Sequence, residues 1–515
     1  MEKKYKKLFF SRVFMSLIFI IIQIAWMLML YLQIFQSNKI FDSIIRVLSI
    51  IYIVYIINRK NEKMEYKTIW IVIVLIFPVF GVPFYMLYGD KRPGRKFKRR
   101  LDAADDKFRK YYFQDKSILP EMEKDKRRSS LTSKYILNDG NYPVFKNSDV
   151  EYYKDGKELF DAMINALKGA EKYIFIEYFT IEIGVVWNTI LDILKEKAEK
   201  GVEVRIMYDD FGSIAYLPKK YPKELESLSP NIHAIKFNRV VPFFSPFMNN
   251  RDHRKMLVID GNTAFTGGIN LSDRYININS PYGHWKDAGV RVEGEAVRSF
   301  ALMYMEMWEA IVPGTFEEDS VKKYMGSHTY TIGGDGYVQP YGDEPFDTIL
   351  LSENIYLEMI DQAEKFVYVY TPYLILSDEL TTAFCLAAKK GIDVRIVTPG
   401  IPDKKMVYRA TRSSYAHLIA AGVRIYEYTP GFIHSKCLLI DGQRATVGTV
   451  NFDYRSLFLH FEDGLFFAEN RAVAELEQDM RETFRICREI TLEDTRKTIV
   501  GKVFDSLLVM IAPLL

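Results

Sequence analysis

This chain has little of what disulfide, metal or nucleotide chemistry needs. Three cysteines, Cys385, Cys437 and Cys487, are scattered over 515 residues. They are too few and too dispersed for a disulfide framework, and no pair has metal-ligand spacing. All three read as core or near-core thiols. There is no Gly-rich phosphate loop and no His-Glu-x-x-His helix, so no cofactor, nucleotide or metal is expected. Net charge is only +3, which argues against a nucleic-acid binder that works by bulk charge. Apolar residues, by contrast, are plentiful. Hydrophobic content is 49% and aromatic content 14%, enough for large cores in two or three domains.

Part of that apolar content is concentrated at the start. Four lysines precede residue 8, and 13–35 is then 23 residues without a charge, long enough to span a bilayer. With no small-residue cleavage site, it reads as an anchor rather than a signal peptide. A second segment, 40–57, carries Asp42 and Arg46 and is weaker. A third, 68–88, is uncharged but holds Pro78, Gly81 and Pro83, which interrupt a helix. Seven Lys/Arg follow between Lys91 and Arg100, and the positive-inside rule assigns them to the cytoplasm. The expectation is a multi-pass membrane protein with its globular part cytoplasmic. The charged stretch after the third segment reads as a membrane-side linker helix whose basic end holds anionic lipid headgroups or faces solvent. The C-terminal stretch from Phe504 is too short to span and reads as interfacial or packed on the globular part.

The chemistry is concentrated in a string that occurs twice. His253, Lys255, Asp260, Gly267-Gly268 and Asn270 recur with the same offsets as His434, Lys436, Asp441, Gly448-Thr449 and Asn451, 181 residues later. Residues i and i+2 of a strand share a face, so each His would sit beside its Lys at the entrance of a buried strand, Met256–Ile259 or Cys437–Ile440. The Asp-Gly that follows reads as a turn. Two Lys and two Asn supply donors for phosphodiester oxygens. A neutral His can attack phosphorus while a protonated one serves the leaving oxygen.

Other segments repeat as well. Ala170-Glu171-Lys172 leading into a strand, then Lys200-Gly201-Val202, recurs as Ala363-Glu364-Lys365 and Lys390-Gly391-Ile392, at offsets of 193 and 190. This is the order of a layered α/β domain present in two copies, each bringing one His string to a shared seam. Past the strings come Asp287 and Asp463. Each reads either as the carboxylate that orients an imidazole through its far nitrogen or as an ordinary strand-end acid. His233, His328 and His417 have no repeated context. His284 and His460 lie near the seam without a counterpart and read as structural or exposed. Tyr373 reads as a site-lining or core aromatic.

The paired strings resemble the HKD motifs of the phospholipase D superfamily, and their context resembles the bacterial cardiolipin synthases. The resemblance runs from about residue 40 to the C-terminus. It implies two duplicated phospholipase D-like α/β sandwich domains with pseudo-twofold symmetry, preceded by N-terminal transmembrane helices: 1–90 as membrane anchor, 91–140 as linker, 141–325 and 326–515 as the two domains. It also implies a phosphatidyltransferase whose partner is phosphatidylglycerol in the membrane, two molecules giving cardiolipin and glycerol through a phosphatidyl-histidine. His253, Lys255, Asp260, His434, Lys436 and Asp441 are then the motif residues, Asn270 and Asn451 the phosphate holders, and Asp287 and Asp463 the supporting acids. His253 is assigned the attack and His434 the proton transfers, although the near symmetry permits the reverse. Asp260 and Asp441 are expected to bond turn backbone or a basic group. The alternatives are a membrane-bound phospholipase D, a nuclease, which charge and membrane segments disfavour, and a scaffold with a degenerate site.

Overall fold

A computed structural model describes residues 21, 25, 28, 39–59, 63–89, 95–240, 250–326, 334–347 and 349–511. Its architecture follows from strands that are apolar on both faces. Tyr173–Tyr178, Lys255–Ile259, Phe366–Tyr370 and Cys437–Ile440 are buried at every position. Such strands need a layer on each side.

The first half supplies a seven-stranded sheet in the spatial order Ser148–Tyr153, Gly289–Gly294, Thr263–Gly267, Lys255–Ile259, Tyr173–Tyr178, Glu203–Asp209 and Ile232–Phe237. The second half repeats it as Tyr337–Asp343, His460–Ala468, Arg444–Gly448, Cys437–Ile440, Phe366–Tyr370, Asp393–Pro399 and Arg424–Tyr428, and adds Arg488–Ile490 at the edge. Equivalent strands pair in the same sense in both. The motif strand runs antiparallel to its neighbours, and the next pairs are parallel. The duplication expected from the repeated segments is therefore a duplication of topology in a mixed α/β fold.

Alternation along the strands then joins the halves. Leu257 and Ile259 pack outward with Leu159, Trp187 and Leu194 of the first-half helices Gly156–Gly169 and Val185–Glu199. Met256 and Val258 face inward and share one core with Cys437 and Leu439 of the second half. Helix Val297–Ile311 lies in this shared core, buried along most of its length, and touches both sheets. One short strand, Arg251–Asp252, leaves the first half to pair with His460 and Phe461 of the second. The two motif strands are thus held close by a continuous apolar interior.

The described residues cover only part of the two to three hydrophobic segments expected at the N-terminus. Among the described residues no helix is long and apolar enough to cross a membrane. The segment 13–35 lies outside the described residues except at 21, 25 and 28. The segment 40–57 falls in one helix, Lys39–Ile57, of 19 residues, which rises about 28 Å against the roughly 30 Å of a hydrocarbon core. The segment 68–88 is not one helix. It breaks at Phe77 into Met64–Ile76 and Pro78–Phe84, because Pro78 has no N–H for the preceding turn and suits a helix start. Met64–Ile76 packs on the second half: Tyr66 stacks on Tyr454, and Lys63 lies 3.0 Å from Glu353.

The charged stretch after it is helical and packs on the globular part. Helix Arg95–Phe108 buries Leu101, Ala104 and Phe108 against Val297–Ile311, and Lys107 bonds Glu309 at 2.8 Å. The C-terminal helix Ile499–Ile511 buries Leu508 and ties Asp505 to Arg409 at 2.6 Å, while Ile499 and Val500 stay exposed.

Candidate active site

Each motif histidine sits just before its strand, where the ladder ends. Its backbone is held there by the opposite half. The His253 N–H donates to Phe461 O at 2.8 Å, and the His434 N–H donates to Lys286 O at 2.7 Å. The side chains are exchanged in the same way. His253 Nδ1 lies 2.8 and 2.9 Å from the two carboxylate oxygens of Glu462, and His434 Nδ1 lies 2.8 Å from Asp287 Oδ2. Both acids are fully buried. A carboxylate on Nδ1 fixes that nitrogen as the N–H and leaves the lone pair on Nε2.

Asp287 is therefore where the sequence suggested, against the imidazole of the other half. Asp463 is not. Its oxygens accept from the Lys255 backbone N–H at 3.1 Å and from the Thr266 hydroxyl. The acid on His253 is its neighbour Glu462. Successive residues of the strand His460–Ala468 face opposite ways, so only one of this adjacent acidic pair can reach the ring. The acidic pair itself was the available signal; which member turns toward the seam depends on the register of that strand against Arg251–Asp252.

The small-residue corners have a specific use. A Cβ on Gly268 would collide with Asp287 Oδ1, so the glycine makes room for the carboxylate that holds His434. At the equivalent corner the Thr449 hydroxyl donates to Glu462 at 2.5 Å. Asp260 accepts from the backbone N–H groups of Glu171, Lys172 and Tyr173, each at 2.8 Å. Asp441 does the same for Glu364, Lys365 and Phe366, at 2.9, 2.7 and 2.9 Å. Both aspartates occupy left-handed backbone, with φ of 54° and 56°. Seven residues of extended chain place each about 20 Å from its histidine, where it fastens the motif turn to the start of the adjacent strand.

The asparagines are already engaged. Asn270 Oδ1 accepts from the Thr180 N–H at 3.0 Å, and its amide donates to the Tyr275 hydroxyl at 2.7 Å. Asn451 Nδ2 donates to Ser456 at 3.0 Å, while its buried Oδ1 has no hydrogen-bond partner among the described residues. Lys255 Nζ turns back to His253 O at 2.6 Å, and Lys436 Nζ lies 2.9 Å from His434 Nδ1. Aromatic rings wall the space: Phe179 beside His253, Tyr275 and Trp285 beside His434. Tyr373 lies near Phe432 and donates to Asp403 at 2.7 Å. His284, exposed at the rim, bonds the Tyr428 hydroxyl.

Burial dominates the electrostatics. Burial, then the Lys255 and Lys436 ammoniums and His434, push the His253 imidazole well below its usual range. Burial and Lys436 lower His434 to about 3, with Asp287 pulling the other way. Burial also lowers Lys255 to about 8 and Lys436 to about 7. Asp287 is held below the usual carboxylate range, since His434 and Lys436 outweigh its burial. The histidines are thus available as neutral bases, and the seam is rich in donors for an anion. Among the described residues one group, His253, His460 and Glu462, offers ligand atoms suited to a metal ion, all within 4.8 Å of one another.

Two like α/β halves meeting at a seam, each presenting a histidine and lysine at the end of a buried strand, define a phospholipase D-like protein. The family model described as "Cardiolipin synthase, PLD-like domain" matches residues 163–288 and 356–484, and "Phospholipase_D-nuclease N-terminal" matches 47–89. A cardiolipin synthase of Alkalihalophilus pseudofirmus is 34% identical over 80% of this chain and 81% of its own length. One from Halalkalibacterium halodurans is 32% identical over 87% and 88%, and an uncharacterized protein of Streptococcus mutans is 39% identical over 87% and 96%. The crystal structure of phosphatidylserine synthase from Haemophilus influenzae Rd KW20 superposes with a TM-score of 0.56 at 15% identity, covering 74% of this chain and 98% of that one; that likeness is one of fold. The chain belongs to the cardiolipin synthase family of phospholipase D-like proteins.

Proposed function

We propose that this chain is a cardiolipin synthase, a phosphatidyltransferase that joins two phosphatidylglycerol molecules into cardiolipin and releases glycerol. The observation that carries the reading is the reciprocal clamp on the two imidazoles. Each Nδ1 is held by a buried carboxylate of the opposite half, so each Nε2 carries its lone pair. That is the arrangement a nucleophile and a proton carrier both need.

In this reading His253 Nε2 attacks the phosphorus of the first lipid. A phosphorus–nitrogen bond forms as the phosphorus–oxygen bond to the headgroup glycerol breaks. His434 gives its proton to the departing glycerol oxygen. It then takes the proton of the second lipid's glycerol hydroxyl as that oxygen attacks phosphorus and frees His253. The phosphodiester bond energy is conserved through the covalent step, so no nucleotide is consumed. Lys255 and Lys436 neutralise the non-bridging oxygens, with Asn270 and Asn451 assigned to the same group. The phosphate brings a negative charge to a point where burial and ammoniums depress His434. It therefore acts with Asp287 to let that imidazole hold a proton. Asp260 and Asp441 support the strands rather than the reaction.

We assign the catalytic domains to 141–325 and 326–515, the anchor to 1–90 and the connecting region to 91–140, a division that one sheet in each half supports. We place the protein at the bacterial cell membrane, multi-pass, with the catalytic halves cytoplasmic. The basic run from Lys91 to Arg100 supports that side. Held there, the site meets lipid hydroxyls at high effective concentration, which favours transfer over hydrolysis. The test is incubation of the purified full-length protein with phosphatidylglycerol vesicles and no nucleotide. Cardiolipin and glycerol should appear in equal amounts; phosphatidic acid as the sole product would overturn transfer in favour of hydrolysis.

A further inference from the structure

The sequence offers no reason to single out His460, but the structure puts its ring 5.5 Å from that of His253, with Nδ1 3.7 Å from Glu462 Oε1. Its side chain is 10% exposed, and neither ring nitrogen has a hydrogen-bond partner among the described residues. Buried polar atoms in native proteins are almost always satisfied by protein, water or an ion. One donor atom each from His253, His460 and Glu462 lies within 4.8 Å of the others, near enough for small side-chain shifts to close them on one ion.

We propose that His253, His460 and Glu462 form an inhibitory binding site for Zn2+ or a similar divalent transition metal. The inference rests on the reading of His253 as a working imidazole of the transfer site. Two imidazoles and one carboxylate suit zinc, cobalt or nickel, whereas magnesium and calcium prefer all-oxygen sets. The Lys255, Lys436 and Arg455 side chains oppose a dication there, and the Glu462 and Asp463 carboxylates offset them. A bound ion would engage the Glu462 oxygens that orient His253 and take a nitrogen lone pair of that ring. Either contact removes the nucleophile.

The test uses full-length protein freed of metal by a chelator. Equilibrium dialysis should show about one Zn2+ bound per chain, with Mg2+ failing to compete. Added Zn2+ should stop cardiolipin formation, and a chelator should restore it. His460→Gln should keep basal transfer, lose at least about tenfold in zinc affinity and resist inhibition. Should that variant not fold, wild-type protein carries the test alone: Co2+ must give the intense visible bands of a tetrahedral imidazole-ligated site, abolished by Zn2+. No stoichiometric binding, or binding unaltered in folded His460→Gln, overturns the proposal. Because binding is read without turnover, its failure is distinguishable from failure of the transfer reading, which the product assay decides.

Discussion

Glu462→Gln and Asp463→Asn separate the geometry from the simpler sequence reading. The two acids are adjacent, both fully buried, and differ in what they touch. Glu462 meets His253 Nδ1 with both oxygens. Gln in its place keeps the size and one acceptor but removes the charge. At an effective dielectric near 20, a carboxylate about 5 Å from the centre of a charged imidazole contributes roughly 3 kcal/mol. A phosphatidyl-histidine is stabilised by that charge as its ring nitrogen becomes cationic. Loss of about 3 kcal/mol slows its formation by roughly 100-fold, and the amide can also present N–H to the ring and favour the wrong tautomer. The expected loss in turnover is therefore about 10²- to 10⁴-fold, the upper end matching the effect of the same kind of change in a hydrolytic triad. Asp463→Asn loses a bond to Thr266 and weakens the hold on the Lys255 N–H. It should lower the melting temperature while leaving turnover of the folded protein within about tenfold. The measurement is single-turnover release of glycerol, with circular dichroism on the same preparations. A folded Glu462→Gln with near-normal rate, beside a dead Asp463→Asn, would refute the assignment and restore the acid expected from sequence.

On the other imidazole, Asp287→Asn should slow turnover by a similar 10²- to 10⁴-fold, measured in the same assay. Gly268→Ala should mimic it with the fold retained, because the added methyl displaces the carboxylate from His434; normal activity in Gly268→Ala would show that the contact tolerates movement. Asp441→Ala removes the acceptor of three backbone N–H groups and places alanine at a φ of 56°. It should cost about 3 to 5 kcal/mol of stability, read by denaturant unfolding, and leave kcat of the remaining folded enzyme within a few fold. A pH profile tests the lysines. Burial lowers their pKa values to about 8 for Lys255 and about 7 for Lys436, and only the protonated forms attract a phosphate. So kcat/KM for phosphatidylglycerol should fall as pH rises through that range, and a profile flat to pH 10 would contradict it.

The architecture was legible because strand burial and repetition leave direct marks on sequence. The runs Met256–Ile259 and Cys437–Ile440 are strands buried on both faces, and the repeated Lys-Gly segments lead into equivalent strands, Glu203–Asp209 and Asp393–Pro399. Local signals also identified the Asp-Gly turns, whose left-handed aspartates fasten the start of the adjacent strand rather than the turn's own backbone. What escaped depends on contacts far apart in the chain. Glu462 and Asp463 differ by one step of a strand, and pairing with Arg251–Asp252 decides which faces His253. His460 is unremarkable until that same pairing brings it beside His253, 207 residues away. In the uncharged run from Thr68 the break at Pro78 was legible, but the inward turn of Trp70 to pack with Tyr85 was not. The Gly267-Gly268 corner is visible in the repeat, but that Gly268 makes room for Asp287 is not.

Those long-range contacts share one feature, which bears on why the duplication persists as a single chain. Neither half contains a finished imidazole site. The first half owns His253 but borrows Glu462 and the Phe461 carbonyl; the second owns His434 but borrows Asp287 and the Lys286 carbonyl. An isolated half would expose the apolar layer that now forms the common core, including the faces of Met256, Val258, Cys437 and Leu439. It would also leave its histidine without the carboxylate that sets the tautomer. Burial lowers the proton affinity of each ring, and at His434 the acid from the opposite half, Asp287, opposes that depression. Docking of the halves and preparation of the two imidazoles are therefore one event. A chain that misassembles its halves loses both histidines together, and with them any partial, uncontrolled chemistry on lipid phosphates.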